Sequence, residues 1–236
     1  MVGVDLTGRD ADLAADLTDP AAAEEVVAEA RPEAVVHLAG IPGEASLPDS
    51  LSSHVLSTGA LLEAMVRHDV RRLVFASSNH AVGRTPRGEG DLGTDTPPRP
   101  DTFYGVGKVA AEALLQLYAD RHGLDLVATR IGSFLPAPTT RRHLSTWLSP
   151  DDAVRMFEAG LTAESPGFAV VYGISANTRA WWDLEPGRAL GYHPEDDAEA
   201  WAVDIEALPR TPTDDDEATF VGGSFAGTEI ERPAFD

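Results

Sequence analysis

The sequence predicts an α/β fold in which helices cover both faces of a parallel, doubly wound sheet. Apolar segments of strand length alternate with segments of helical length and periodicity, as is typical of parallel strands joined by crossover helices. Small or polar residues follow several of the apolar segments, where ligands bind in such sheets. The chain has 236 residues, of which 43% are hydrophobic, so it can bury a sizeable core.

Apolar runs bounded by charged or turn-forming residues predict the strands. They lie at residues 2–5, 34–40, 72–78, 124–131 and 168–172. The first run ends in an acidic residue and the third in two serines. Because parallel strands end at the same edge of a sheet, we expect one ligand site there.

Helices are predicted between these strands. The dipeptides Asp19-Pro20 and Ser149-Pro150 are strong helix starts. Their first residue can cap free backbone amides, and proline suits the first helical position. A further helix is predicted over about 51–68, and another begins near Tyr104.

The chain divides into three predicted parts. Residues 1–133 hold the main sheet, and residues 134–208 begin with a proline-rich loop that contains two adjacent arginines. Residues 209–236 form a polar, acidic tail that we expect to be poorly ordered.

Composition excludes several classes of protein. The net charge of −21 argues against binding nucleic acid or an anionic membrane surface. The absence of cysteine excludes disulfides and thiolate chemistry, and we predict no metal site. No apolar run approaches the length of a membrane span and the start lacks a signal-peptide pattern, so we expect a cytoplasmic protein.

Tyr104 and Lys108 form a candidate catalytic pair. Tyr104 and Lys108 are four residues apart, which places them on one face of a helix. Lys108 is the single lysine of the chain. A neighbouring ammonium stabilises a phenolate, so the pair is suited to general base catalysis.

Several motifs resemble the extended short-chain dehydrogenases/reductases, the NAD-dependent epimerase/dehydratase superfamily. They are Y-G-V-G-K at 104–108, F-A-S-S at 75–78, H-L-A-G at 37–40 and A-D-L at 15–17. Longer strings resemble the uronate dehydrogenases within it: S-S-N-H at 77–80, R-I-G-S at 130–133, L-S-T-W-L-S at 144–149, Y-G-I-S-A-N-T-R at 172–179 and W-W-D at 181–183. By this resemblance, residues 1–133 are a Rossmann-like NAD-binding core and residues 134–208 a substrate-binding region.

The resemblance implies oxidation of a hexuronate, galacturonate or glucuronate, at C1 to an aldarolactone, with hydride passing to NAD. Tyr104 is the implied base, Lys108 lowers its pKa and holds the nicotinamide ribose, and Ser78 hydrogen-bonds the reacting hydroxyl. The other implied cofactor contacts are Asp5, Asp16, Leu17, Leu38, Ala39, Gly40 and Ile131. The other implied substrate contacts are Asn79, His80, Ser133 and Arg142. A homodimer is also implied.

The sequence departs from the family pattern in two places. The glycine-rich turn that the family places before the Asp5 strand is absent, so we expect a first strand and helix to be missing and NAD affinity to be low. The neighbours of that strand are expected to expose apolar faces and unpaired edges. Pro42 and Gly43 lie where a polar substrate contact is expected. Two alternative functions stay open. One is a related NAD-dependent sugar dehydrogenase or epimerase, and the other is a non-catalytic remnant that binds NAD weakly or not at all.

Overall fold

The structure is a computed structural model that describes residues 1–9, 11–88, 91–211, 213–227, 230 and 232–235. The strands are β1 (Val4–Asp5), β2 (Leu13–Ala14), β3 (Ala34–His37), β4 (Arg72–Ser78), β5 (Asp125–Ile131), β6 (Ser133–Phe134), β7 (Trp147–Leu148) and β8 (Phe168–Gly173). The α-helices are α1 (Pro20–Ala30), α2 (Leu47–Leu51), α3 (Ser57–Arg67), α4 (Phe103–His122), α5 (His143–Thr146), α6 (Pro150–Thr162), α7 (Glu185–Ala189), α8 (Ala202–Glu206) and α9 (Thr213–Thr219). A π-helical turn, Ser52–Leu56, joins α2 to α3, and 3₁₀ turns cover Asn79–Val82, Ala198–Trp201 and Gly223–Ala226.

The main sheet has four strands in the order β3-β4-β5-β8, and every adjacent pair is parallel. This confirms the parallel sheet that the alternation of strands and helices predicts. The carboxyl ends of β4 and β5 lie side by side, with Ser78 opposite Ile131. Residues of both predicted strand ends therefore meet at one edge of the sheet.

Alternate residues of β4 and β5 bury opposite faces of the sheet. Leu73 and Phe75 pack with side chains of α3 and α4 in the largest core cluster. Val74 and Val127 belong to a separate cluster on the other face, where Phe157 of α6 packs. Because apolar side chains point to both faces, helices are needed on both sides, and the doubly wound fold is confirmed.

Strands β1 and β2 form a separate parallel pair. Within the described residues, β3 hydrogen-bonds to a single strand, β4, so its other edge lacks a partner strand. Val36 is 39% exposed and Leu38, just beyond β3, is 60% exposed. The unpaired edge and the exposed apolar side chains match the expectation for this part of the sheet.

The two predicted helix starts are present. The Asp19 carboxylate accepts from the amide of Ala21 (2.9 Å), and the Ser149 hydroxyl accepts from the amide of Asp152 (2.9 Å). The predicted single helix over 51–68 differs: it begins earlier, at α2, and contains the π-helical turn. The Ser46 hydroxyl caps that earlier start.

The described part of the acidic tail, for which composition predicts poor order, contains helix α9 and a few buried apolar side chains. Residues Thr213–Thr219 form α9, Phe220 pairs with Pro86, and Val221 is buried against Trp182 and Ile174. A few apolar side chains therefore anchor a segment that is polar on average. Residues 212, 228, 229, 231 and 236 of the tail lie outside the described residues.

In the described part of the chain, no helix combines the length and the apolar character needed to cross a membrane.

Candidate active site

Helix α4 begins immediately before Tyr104. The Thr102 hydroxyl caps it by accepting from the amide of Gly105 (3.0 Å). The Glu44 carboxylate accepts from the amides of Phe103 (3.1 Å) and Tyr104 (3.0 Å). Both acceptors satisfy amides that lack partners within the helix, and a negative charge is favoured there by the helix dipole. Tyr104 is thereby fixed at the edge of the sheet.

Lys108 lies one turn further along α4 and is 4% exposed. Its Nζ donates to the carbonyl oxygen of Ala76 (2.8 Å) and lies 4.9 Å from the ring centroid of Phe75 and 5.4 Å from that of Tyr104. Burial lowers the pKa of Lys108 to about 8, and the charge of Glu112 opposes that shift. An ammonium has three donors, so this one has N–H groups left for a further acceptor.

Ser78 ends β4 and lines the same cavity as Tyr104. Burial raises the pKa of Tyr104, whereas the neighbouring Ser78 hydroxyl lowers it. The net direction is upward, and a lowering of this pKa by Lys108 stays a prediction. The cost of burying a phenolate outweighs the attraction of an ammonium more than 5 Å from the ring.

One cavity of about 170 Å³ is lined by Tyr104 and Lys108 of α4 and by residues at the ends of the strands. Its lining comprises Leu38, Gly40, Ile41, Pro42, His54, Ala76, Ser77, Ser78, Tyr104, Lys108, Ile131 and Gly132. Six of the residues predicted from the sequence are thus brought together. Pro42 lines this cavity, so a proline does occupy a position where a polar contact is expected.

A second group of predicted residues surrounds the guanidinium of Arg142. Arg142 Nη1 donates to the hydroxyls of Ser133 (3.3 Å) and Thr146 (3.2 Å), and Nη2 donates to the carbonyl oxygen of Val221 (2.6 Å). When the Asn79 amide is oriented to satisfy its neighbours, its oxygen accepts from Arg142 Nη2 (2.7 Å). Arg142 Nε is buried and has no hydrogen-bond partner among the described residues. The Nε–H is therefore the donor that this guanidinium has left for a further acceptor.

His80 connects the two groups. Its Nδ1 lies 2.8 Å from the buried carboxylate of Asp101, and its ring packs at 5.8 Å from Tyr104 and 4.5 Å from Phe225. The bond to Asp101 fixes the ring orientation and leaves Nε2 as the second polar atom. Asp101 itself was not predicted, because its role depends on a contact 21 residues away in sequence.

Four predicted cofactor contacts lie outside the cavity lining: Asp5, Asp16, Leu17 and Ala39. Asp5 ends β1, and Asp16 follows β2. Each carboxylate accepts from the backbone amide and the hydroxyl of the threonine two residues later, which lowers its pKa. Ala39 is exposed beside Gly40. These residues are available at the surface but are not part of the group around Tyr104.

The chain belongs to the NAD dependent epimerase/dehydratase family, whose profile matches residues 5–157. Uronate dehydrogenase of Agrobacterium fabrum (strain C58) is 41% identical over 221 residues, which cover 93% of this chain and 81% of that protein. Uronate dehydrogenase of Pseudomonas putida (strain KT2440) is 37% identical over 211 residues, covering 89% and 78%. The crystal structure of a mutant of Agrobacterium tumefaciens uronate dehydrogenase complexed with NAD matches with a TM-score of 0.86 and 39% identity, covering 94% of this chain and 82% of that chain. By family and by these likenesses, the chain is an NAD-dependent oxidoreductase.

The cavity offers groups that suit a dinucleotide cofactor such as NAD. Lys108 offers free N–H donors for ribose hydroxyls, and Leu38 and Ile131 supply apolar walls. Gly40 has a φ of +149°, a backbone conformation that favours glycine, and a Cβ at that position would overlap the ring of His54. The backbone therefore passes close to the cavity without a side chain in the way.

Proposed function

We propose that this protein oxidises a hexuronate at C1 to the corresponding aldarolactone, with NAD as the hydride acceptor. The observation that carries the proposal is the arrangement of Ser78, Tyr104 and Lys108 around one cavity, beside the partly buried fork of Arg142. The first group suits removal of a proton from a hydroxyl, and the second suits a carboxylate. A sugar that carries both functions at opposite ends matches both groups.

Arg142 binds the substrate carboxylate in this proposal. Among the described residues its Nε–H has no partner, so this buried N–H can donate a charge-assisted hydrogen bond to one carboxylate oxygen. The hydroxyl of Ser133 and the amide of Asn79 already contact this guanidinium, so they are placed to bind neighbouring oxygens of the sugar. Asp101 engages Nδ1 of His80, so Nε2 is the ring atom that we assign to the substrate.

Tyr104 acts as the general base. The phenolate accepts the proton of the C1 hydroxyl while the Ser78 hydroxyl hydrogen-bonds the same oxygen, and the C1–O bond becomes a carbonyl. NAD, when bound, accepts the hydride that leaves C1. Lys108 stabilises the phenolate electrostatically and donates to the ribose of the nicotinamide end. Asp5, at the end of β1, suits a ribose hydroxyl and disfavours a 2′-phosphate, so NAD is preferred over NADP.

The test compares sugars that differ only in the carboxylate. NADH formation is followed at 340 nm with galacturonate and glucuronate, and with galactose and glucose as matched neutral controls. The proposal expects turnover of a uronate and a kcat/KM at least about 10-fold lower for the neutral sugar, because an unpaired buried guanidinium penalises it. Equal turnover of both members of a pair would reject the carboxylate assignment.

The same assay addresses the alternative of a related NAD-dependent sugar dehydrogenase. Pro42 in the cavity lining is the observation that favours it, since proline offers no side-chain hydrogen bond. Preferential oxidation of neutral aldoses would select this alternative over the uronate proposal.

A further inference from the structure

Glu112 is a buried residue whose carboxylate accepts three hydrogen bonds. The residue is 6% exposed. The Ser77 hydroxyl donates to Oε1 (2.5 Å), and Arg130 donates from Nε to Oε1 (3.0 Å) and from Nη2 to Oε2 (2.8 Å). Arg130 is 3% exposed, so the ion pair is shielded from water on both sides.

The position of Glu112 links the elements that carry the candidate site. It lies four residues after Lys108, and therefore on the face of α4 that also presents Tyr104. Ser77 directly precedes Ser78 at the end of β4, and Arg130 directly precedes Ile131 at the end of β5. A single side chain thus ties the helix of the base to the ends of two strands.

The charged surroundings of Lys108 come from several elements. Tyr104 and Glu112 face it from α4, His37 from β3 and His54 from the π-helical turn. Burial lowers the pKa of His37 to about 3 and that of His54 to about 4, so both imidazoles are neutral near pH 7. Arg130, from β5, lies on the far side of Glu112 from the helix. Of these groups, Glu112 is the one whose charge favours an ammonium at Lys108.

We propose that Glu112 is a positioning residue of the candidate site, whose carboxylate keeps Lys108 protonated and holds α4 against the ends of β4 and β5. Arg130 partly neutralises that carboxylate and so sets how strongly it acts on Lys108. The consequence for catalysis rests on the proposed function, but the effect on Lys108 does not.

The single lysine of the chain makes this effect directly measurable. Protein labelled with [ε-¹³C]lysine gives one side-chain NMR signal, and its chemical shift against pH reports the pKa of Lys108 without any need for turnover. Glu112→Gln removes the negative charge while keeping the shape, Arg130→Met removes the positive charge, and the double variant removes both. Ser77→Ala is the matched control, because it removes one hydrogen bond to Glu112 and no charge.

The expected shifts have opposite signs. The pKa of Lys108 falls by roughly one unit or more in Glu112→Gln and rises in Arg130→Met, where the carboxylate is no longer neutralised. In the double variant the pKa falls by less, because the nearer charge dominates. In Ser77→Ala it moves by less than about 0.3 unit. Circular dichroism establishes which variants are folded.

An unchanged pKa of Lys108 in the folded double variant, together with no rise in Arg130→Met, would overturn the inference. If Glu112→Gln alone fails to fold with Arg130 left unpaired, the other two variants still decide the matter. If the shifts appear as expected but no uronate is oxidised, the proposed function fails and the role of Glu112 stands.

Discussion

Lys108 Nζ donates a 2.8 Å hydrogen bond to the carbonyl oxygen of Ala76, two residues before Ser78. This bond joins the helix that carries the base to the strand that carries the serine. It also holds the ammonium close to the aromatic ring of Phe75. The relative positions of Tyr104, Lys108 and Ser78 therefore follow from backbone contacts that form when the protein folds.

Tyr104→Phe removes the proton acceptor and keeps the ring. We expect kcat/KM to fall by about 10²–10⁴-fold, the range for loss of a general base. The ring contacts to His54 and His80 remain, so the thermal unfolding midpoint changes little. Steady-state NADH formation and circular dichroism check both parts. Retention of more than about a tenth of the activity would exclude Tyr104 as the base.

The charge of Lys108 should limit activity at high pH. Its pKa of about 8 lies below the ordinary value, so the ammonium is lost as the pH rises through about 8. We expect kcat/KM to decline above that pH, and Lys108→Arg to remove the decline because arginine stays protonated. A pH profile of each enzyme makes the comparison. The same decline in a folded, active Lys108→Arg variant would show that another group is responsible.

Arg142→Met removes the proposed carboxylate ligand. We expect KM for a uronate to rise at least about 10-fold, because a charge-assisted hydrogen bond to the carboxylate is lost, while a neutral sugar is affected much less. Arg67→Met, at an exposed arginine on α3, is the control for the loss of one positive charge. If both variants change KM equally, the effect comes from net charge rather than from the site.

His37 should make stability depend on pH. The buried ring has its pKa lowered to about 3, whereas in the unfolded chain it returns to 6.5. The unfolded chain therefore takes up a proton as the pH falls below 6.5 and the folded chain does not, so stability is full above that pH and declines below it. The decline attributable to His37 approaches about 1.4 kcal/mol per pH unit.

Urea unfolding of the wild type and of His37→Gln at pH 7 and pH 5 isolates that contribution. The free energy of unfolding of the wild type, relative to the variant, should be lower at pH 5 than at pH 7. A difference that does not depend on pH would mean that His37 is not buried in its neutral form.

Because Gly83 has no side chain, the carboxylate of Asp101, which contacts His80 Nδ1, can lie against it. A Cβ at position 83 would overlap the carboxylate of Asp101. Gly83→Ala should therefore lower the free energy of unfolding by roughly 1–3 kcal/mol. Gly43→Ala is the control, since a Cβ there meets no atom within 4 Å, and its effect should stay within about 0.5 kcal/mol. Similar losses in the two variants would contradict the packing described for Asp101.

Local signals in the sequence predict much of the fold and part of the site. The caps at Asp19 and Ser149 and the spacing of Tyr104 and Lys108 depend on residues close together in the chain, and the structure contains them. The homodimer implied by resemblance, the boundaries of the parts and the roles of individual residues stay predictions.

Long-range contacts account for what the sequence did not predict. The ion pair between Glu112 and Arg130 joins residues on different elements, although an acidic residue four positions after Lys108 was a visible signal. The contact between Val221 and Arg142 could not be predicted from the sequence, because the tail that contains Val221 is polar on average. The direction of the Tyr104 pKa depends on burial, which spacing alone does not report.

Transfer of hydrogen from C1 of the sugar to the cofactor is the step that defines the proposed oxidation. The protein is incubated with NAD and [1-²H]galacturonate or [1-²H]glucuronate, and the reduced cofactor and the sugar product are analysed by NMR and mass spectrometry. We predict that deuterium appears at C4 of the nicotinamide in amounts equal to the aldarolactone formed, and that Tyr104→Phe slows the formation of both by about 10²–10⁴-fold. Reduced cofactor without deuterium, or oxidation of the sugar at another carbon, would contradict it.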